Sequence, residues 1–179
     1  KRVDVRAAIA PDTTFALIEV ALRDEDGSVR QTAANTLRTL RASVTRWRLD
    51  RAIARQIVPP PSFLVTLSST LDSSDSTVRF QSLETIVYFG GDPAMLAARL
   101  LQRYNLESGT LLRAELLMYL RRLAPNDHSV RQVVLAALAD PDPDVRYQGV
   151  VGAGTWTPDA ALAQIGQGLD ESNVSVRMG

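Results

Sequence analysis

Three carboxylates at alternate positions are the first candidates for chemistry in the chain. Asp140, Asp142 and Asp144 form the stretch Asp-Pro-Asp-Pro-Asp, directly ahead of Val145 and Arg146. Oxygen ligands at this spacing could hold a divalent cation. The same residues suit a turn before a helix, because aspartate caps free amides and its charge favours the amino end of a helix. Since acidic turns ahead of Val-Arg recur along the chain, we predict a structural turn and no metal.

The other candidates for chemistry are isolated. His128 is the only histidine and there is no cysteine, so neither a histidine cluster nor a thiolate zinc site is expected. A Ser-His-Asp arrangement would have to use His128, which we instead place as an exposed residue in the first turn of a helix. Gly149, Gly152 and Gly154 spell G-x-x-G-x-G, which differs from the dinucleotide-binding fingerprint and falls inside a predicted helix. We therefore predict no catalytic residues and no cofactor.

One stretch carries more positive charge than a fold requires. Residues 38–55 include six arginines and one acidic residue. On a helix, Arg48, Arg51 and Arg55 would share one stripe with Trp47 at its edge, and arginine beside tryptophan suits acidic protein, phosphate or single-stranded nucleic acid. Alternatively, the apolar residues of this helix cover the core while its arginines face water or pair with turn aspartates. The partner-binding candidates are Arg46, Trp47, Arg48, Arg51 and Arg55.

A repeated unit must position all of these groups. Six copies of a motif can be aligned at a Val-Arg or Leu-Arg pair, and the last three intervals between their arginines are 34, 33 and 31 residues. That length accommodates two short helices and two turns. The interval from Arg30 to Arg79 is 49 residues, so after a helix ending near Arg41 we predict an inserted helix at 44–58, stopped by three prolines. The six arginines are Arg6, Arg30, Arg79, Arg113, Arg146 and Arg177.

Each unit is predicted to consist of a first and a second amphipathic helix. In the first helix, apolar or small residues recur at offsets 0, 4, 5, 8 and 11 from an anchor just before the arginine, which places them on one buried face. Second helices are predicted to start at Pro or Asp, which fit or cap a first turn. Val130 and Arg131 are assigned to a second helix. The anchors are Val29, Val78, Leu112 and Val145, and the second helices start at Pro11, Pro61, Asp92, Pro125 and Pro158.

This pattern resembles the HEAT-repeat family, in particular the short bacterial HEAT-like units also found in phycobilisome lyases, whose signature is an acidic turn, Val-Arg and an alanine- and leucine-rich helix pair. The resemblance covers nearly the whole chain and implies an all-α fold, a right-handed α-solenoid of about five helix pairs. It also implies a structural ladder in which turn carboxylates and arginines bond between neighbouring units, with Asp24 matched to Arg30 and Asp140 to Arg146. Ahead of Arg113 only Glu107 is available for this role. The ladder residues are Asp24, Arg30, Asp75, Arg79, Asp140, Asp142 and Arg146.

Composition sets wide bounds on what the chain can be. With 179 residues, 45% hydrophobic and 22% charged, it is long enough for a sizeable core and too apolar to be disordered. No run approaches the roughly 18 apolar residues of a membrane span. A net charge of zero argues against a broad nucleic-acid footprint, and the lack of cysteine leaves the compartment open.

The function predicted from these observations is binding rather than catalysis. Stacked helix pairs leave a long surface available, so we expect a non-catalytic scaffold that binds another protein along a groove lined by its second helices. The alternatives are a nucleic-acid-binding protein resembling the HEAT-like alkylpurine glycosylases, which would use the arginine-rich insert, and a bilin lyase subunit. Candidate groove positions are Glu19, Thr66, Arg99, Gln102 and Gln164.

We expect a single repeat domain over residues 1–179. Because it begins partway into a unit and its sixth copy is cut short, we also expect it to be a piece of a longer protein. The units are predicted at about 1–24, 25–72 with the insert, 73–105, 106–140 and 141–170, followed by a partial copy at 171–179.

Overall fold

The computed structural model describes residues 11–47 and 58–155, and all regular structure in this part of the chain is helical. It contains eight α-helices and no strand, which confirms the predicted all-α class. The chain divides into two compact units, Lys1–Gly90 and Gly91–Gly179. The first unit contains α1 (Pro11–Leu22), α2 (Gly27–Trp47), α3 (Pro61–Thr70) and α4 (Ser76–Phe89), and the second contains α5 (Pro93–Leu106), α6 (Thr110–Leu123), α7 (His128–Ala137) and α8 (Pro143–Ala153).

Helices α1, α3 and α5 start where the sequence signals predict them, whereas α7 begins at His128, three residues after the predicted Pro125, because Asp127 caps it. Helices α1, α3 and α5 begin at a proline, whose missing amide is not needed in the first turn. Asp75 and Asp142 cap α4 and α8 by accepting two backbone amides each, and aspartates cap α5 and α7 in the same way. Ahead of α2, the hydroxyl and amide of Ser28 both donate to Asp26 and thereby lower the pKa of its exposed carboxyl. The predicted start at Pro158 lies outside the described residues.

Helix α2 is longer than the sequence pattern predicts. The pattern places its end near Arg41 and begins a separate inserted helix at residue 44. In the structure, α2 continues through Trp47, because no proline or glycine interrupts the chain after Gly27 in this stretch. Residues 44–47 therefore belong to α2, and residues 48–57 of the predicted insert lie outside the described part of the chain.

The core of the first unit is aromatic. Helices α1 and α4 each pack against both α2 and α3. Between them, the ring centroids of Phe15 and Phe63 lie 4.7 Å apart, and that of Phe89 lies 5.9 Å from the first and 6.2 Å from the second. Phe15 and Phe63 are fully buried. The tilted and edge-to-face arrangements suit the ring quadrupoles, so the three rings join α1, α3 and α4.

The core of the second unit is aliphatic. Helix α6 packs against α5, α7 and α8, and α7 packs against α8. Leu116, Leu117 and Leu120 of α6 have no exposed surface, and Val130 and Val134 of α7 are equally well buried. The predicted assignment of Val130 to a second helix is confirmed, since it lies in the first turn of α7.

Two glycines let α8 approach α7 closely. A Cβ atom added to Gly149 would lie 3.0 Å from the backbone nitrogen of Leu138, and one added to Gly152 would lie 2.6 Å from Cγ1 of Val134. Glycine costs about 1 kcal/mol relative to alanine in a helix interior. At these positions that cost is offset by close packing between the two helices.

The four anchors of the first helices are not equally covered. Val78 and Val145 have no exposed surface and Leu112 is 5% exposed, whereas Val29 is 36% exposed. Val29 lines an open, largely apolar groove of about 310 Å³ between α1 and α2. The prediction that all four anchors are buried is therefore wrong at Val29, because no described residue fills the groove above it.

Candidate protein-binding groove

An arginine near the start of three first helices clamps the turn that precedes it. In α2, Nη1 of Arg30 donates to the backbone carbonyls of Asp24 and Glu25, both at 2.8 Å. Nη1 of Arg79 and of Arg146 donates in the same way to the carbonyls six and five residues earlier. Each clamp ties a turn to the helix that follows, so these arginines have a structural role.

A polar side chain at the beginning of each turn makes a second bond. The carboxylates of Asp24, Glu107 and Asp140 accept the backbone amide two residues later, at 2.8, 2.8 and 3.0 Å, and the hydroxyl of Ser73 does so at 3.2 Å. Glu107 thus takes the place of the aspartate in a turn that has none. It is buried, and Nη2 of Arg103 donates to its carboxylate at 2.7 Å.

One ion pair of the kind predicted for the ladder is present within the second unit. Arg113 of α6 pairs with Asp140 in the turn before α8. The two matched pairs expected from the resemblance are joined differently, because Arg30 and Arg146 contact Asp24 and Asp140 through the backbone carbonyls of these aspartates. A ladder that runs through further junctions stays a prediction.

The repeated motif has an extension that joins neighbouring first helices. In two copies the arginine is followed by an aromatic residue and a glutamine, Gln81 in one and Gln148 in the other. Oε1 of Gln81 accepts a bond from Nη2 of Arg41 at 2.8 Å, and Oε1 of Gln148 accepts one from Nη2 of Arg121 at 3.3 Å. Sequence reasoning missed these links, although the recurrence of glutamine at one offset could have revealed them.

The two arginines in these links are compensated to different degrees. Nη1 of Arg41 also donates to the hydroxyl of Thr85 at 2.6 Å and to the carbonyl of Gln81 at 3.1 Å. Burial lowers the pKa of the Arg121 guanidinium, and the like charge of Arg122 acts in the same direction. Nε of Arg121 is buried without a hydrogen-bond partner. Arg41 is therefore engaged in the fold, while the charge of Arg121 is poorly balanced.

The arginine-rich candidates lie at the end of α2 and beyond it. Arg46 and Trp47 are the last two residues of this helix. Arg48, Arg51 and Arg55 lie outside the described residues. The hypothesis of an anion-binding patch in this stretch therefore stays a prediction.

The acidic residues that could suggest a metal site serve a turn. Asp140 pairs with Arg113, Asp142 caps α8, and Asp144 is exposed in the first turn of α8. In residues 11–47 and 58–155, no three His, Cys, Asp or Glu side chains are grouped so as to hold a metal ion. His128 is exposed in the first turn of α7, as the sequence predicts.

A groove of about 880 Å³ lies between α1 and the start of α3 in the first unit. Both helices are ones that the sequence pattern predicts as second helices, where it also predicts a binding surface. We call this depression the α1–α3 groove. It is lined by Ala16, Glu19, Val20, Arg23, Asp24, Glu25, Pro60 and Ser62.

Hydrogen bonds hold the polar side of the α1–α3 groove in place. The carboxylate of Glu19 accepts a bond from the hydroxyl of Ser62 at 3.0 Å and one from the hydroxyl of Thr66 at 3.3 Å. Nη2 of Arg23 donates to the same Thr66 hydroxyl at 2.7 Å. Thr66 is fully buried. Glu19 lies in the lining of the groove. The prediction of Thr66 as a groove position is wrong, because its side chain is buried between Glu19 and Arg23 and does not line the groove.

The lining of the α1–α3 groove combines negative charge with exposed apolar surface. Glu19, Asp24 and Glu25 supply three carboxylates, against the single cation of Arg23. On the apolar side, Val20 is 71% exposed. Apolar surface bordered by charged groups is a common feature of interaction sites.

The other predicted groove positions do not line the α1–α3 groove. In the second unit, Nη1 of Arg99 donates to Oε1 of Gln102 at 3.3 Å, so these two residues of α5 are neighbours on an exposed surface. Gln164 lies outside the described residues.

Comparison with known proteins gives no assignment. No protein-family model and no curated protein sequence matches the chain. Among the described residues, no helix combines the length and the apolar character that a membrane crossing requires.

Proposed function

We propose that the chain is a non-catalytic scaffold of HEAT-like helix pairs, arranged as a right-handed α-solenoid, that binds another protein along its second helices. The observation that carries this proposal is the α1–α3 groove, which lies between two predicted second helices. Its mixture of apolar and charged surface is typical of non-obligate protein interfaces. Stacked helix pairs also leave a long surface for a partner, because each pair buries only the faces that touch its neighbours.

Site-specific photo-crosslinking tests this proposal. A benzophenone amino acid at Val20 places the reactive group in the α1–α3 groove, and the same amino acid at Leu111 provides a matched control. Leu111 is 63% exposed but belongs to α6, a first helix. We expect a discrete protein adduct from the Val20 position in a lysate of the source organism, and no such adduct from Leu111.

Charge reversal shows whether an adduct depends on the groove. We expect Glu19→Arg to abolish the Val20 adduct, while Asp144→Arg, at an exposed carboxylate of α8, leaves it unchanged. Equal adducts from Val20 and Leu111, or no protein adduct from either position, would contradict the proposed function.

A further inference from the structure

The α1–α3 groove has a carboxylate that is oriented but not neutralised. The Ser62 hydroxyl of α3 donates to the carboxylate of Glu19 at 3.0 Å and orients it. The Thr66 hydroxyl lies 3.3 Å from the same carboxylate and shares its one proton with the Ser62 carbonyl at 3.0 Å. Among the described residues, no basic side chain forms an ion pair with Glu19. Since an ionised carboxylate offers about four acceptor sites, Glu19 can accept further donors from a bound molecule.

The basic residue that follows Glu19 most closely in the sequence, Arg23, bonds to a different side chain. Arg23 follows Glu19 by one helical turn, a spacing that allows an ion pair, yet its Nη2 donates to the hydroxyl of Thr66 instead. Asp24 and Glu25 add two carboxylates along the same wall. Even with the guanidinium of Arg30, which contacts the backbone carbonyls of Asp24 and Glu25, the three carboxylates outnumber the two nearby cations. This excess of negative charge favours a cationic occupant and disfavours nucleic acid.

The apolar side of the groove indicates which kind of cationic group fits it. Val20 is largely exposed, and Ala16 and Pro60 line the groove with it. Arginine and lysine side chains combine an apolar stem with a charged end, so one side chain can cover such a surface and reach a carboxylate beyond it. A simple metal cation would leave the apolar wall uncovered.

We propose that the α1–α3 groove binds its partner protein through an arginine or lysine side chain whose charged end pairs with Glu19 and whose stem covers Val20. This inference rests on the proposed function, and it specifies the chemistry of the partner. Loss of a hydrogen bond to a charged group weakens binding by about tenfold or more. The groove is open to solvent, so the attraction also weakens as salt rises.

Peptide selection on the whole chain tests the inference and does not require an identified partner. Random linear peptides displayed on phage are selected against the wild-type chain, and selected peptides that compete with photo-crosslinking at Val20 are retained. We expect these peptides to share an arginine or lysine beside apolar residues. We also expect Glu19→Gln, which keeps the size of the side chain, to bind them about tenfold more weakly. The control Asp144→Asn should bind them as the wild type does.

Replacement of the shared basic residue provides the complementary measurement. Citrulline for arginine, or norleucine for lysine, keeps most of the stem and removes the charge, so it should weaken binding by about the same factor and have no further effect on Glu19→Gln. Retained peptides without a basic residue, or equal binding by Glu19→Gln, overturn the inference and leave the binding groove intact. Failure to select any peptide that reaches Val20 counts against the proposed function itself.

Discussion

Equivalent helical positions carry hydrogen-bonding side chains in the first unit and glycines in the second. Four and seven residues after the anchor, α4 of the first unit carries Ser82 and Thr85, whereas α8 of the second carries Gly149 and Gly152. The hydroxyl of Ser82 bonds to α3 at 2.7 Å, and that of Thr85 accepts a bond from α2 at 2.6 Å. The glycines have no side chain to bond, and instead admit the backbone and side chains of α7.

This difference separates what the repeated motif determines from what it leaves open. The acidic turn and the arginine clamp begin α2, α4 and α8 in the same way. The residues at the two variable positions then decide whether a helix joins its neighbours by buried hydrogen bonds or by close approach.

The largest expected effect concerns the aromatic core of the first unit. Phe63→Ala removes a fully buried ring that contacts two other rings, so we expect the free energy of unfolding to fall by about 3–5 kcal/mol. Urea unfolding followed by circular dichroism measures the change. The conservative variant Phe63→Leu should lose clearly less, and a loss below about 1 kcal/mol in Phe63→Ala would show that the rings are not central to the unit.

A smaller effect is expected at the close contact of the second unit. Gly152→Ala places a methyl group within 2.6 Å of Val134 Cγ1, and such overpacking costs about 1–3 kcal/mol. The control Gly154→Ala should change stability by no more than about 0.5 kcal/mol, since its methyl group meets the carbonyls of Val150 and Val151 at the ordinary contact distances of 3.4 and 3.9 Å. If both variants unfold at the same urea concentration, close approach does not distinguish the second unit.

The smallest expected change in unfolding free energy concerns the two arginine-glutamine links, which we expect to contribute unequally. Arg41→Met removes three hydrogen bonds to α4, and we expect it to cost about 1–2 kcal/mol. Arg121→Met removes one long bond and also a poorly compensated charge, so its unfolding free energy should change by at most about 0.5 kcal/mol. Thermal unfolding of both variants gives the comparison, and an equal loss would show that the two links contribute alike.

The positions of the helices could be predicted from the sequence because their signals are local. Proline and aspartate act within one turn of a helix, so Pro11, Pro61 and Asp92 mark helix starts whatever the rest of the fold. The end of α2 was harder to predict. Its apolar pattern fades near Arg41, but nothing in the following residues breaks a helix, and the helix continues.

The groove could be predicted only in part, because it depends on contacts between distant residues. Glu19 and Thr66 were expected on a binding surface, yet the hydroxyl support from α3 joins residues more than 40 positions apart. The role of Arg23 could not be predicted for the same reason, since its spacing from Glu19 favours a local ion pair. The ion pair between Arg113 and Asp140 likewise follows from packing within the second unit.

The arginine clamp leaves one exposed side chain of each turn free to vary. It grips only main-chain oxygens, so the side chain at the fifth position before the arginine has no part in it. Glu25, Ser74 and Pro141 occupy this position in three turns, and all three are exposed. One wall of the α1–α3 groove contains such a position, Glu25, so a single substitution there can change the charge of the wall while the main-chain grip of Arg30 stays the same.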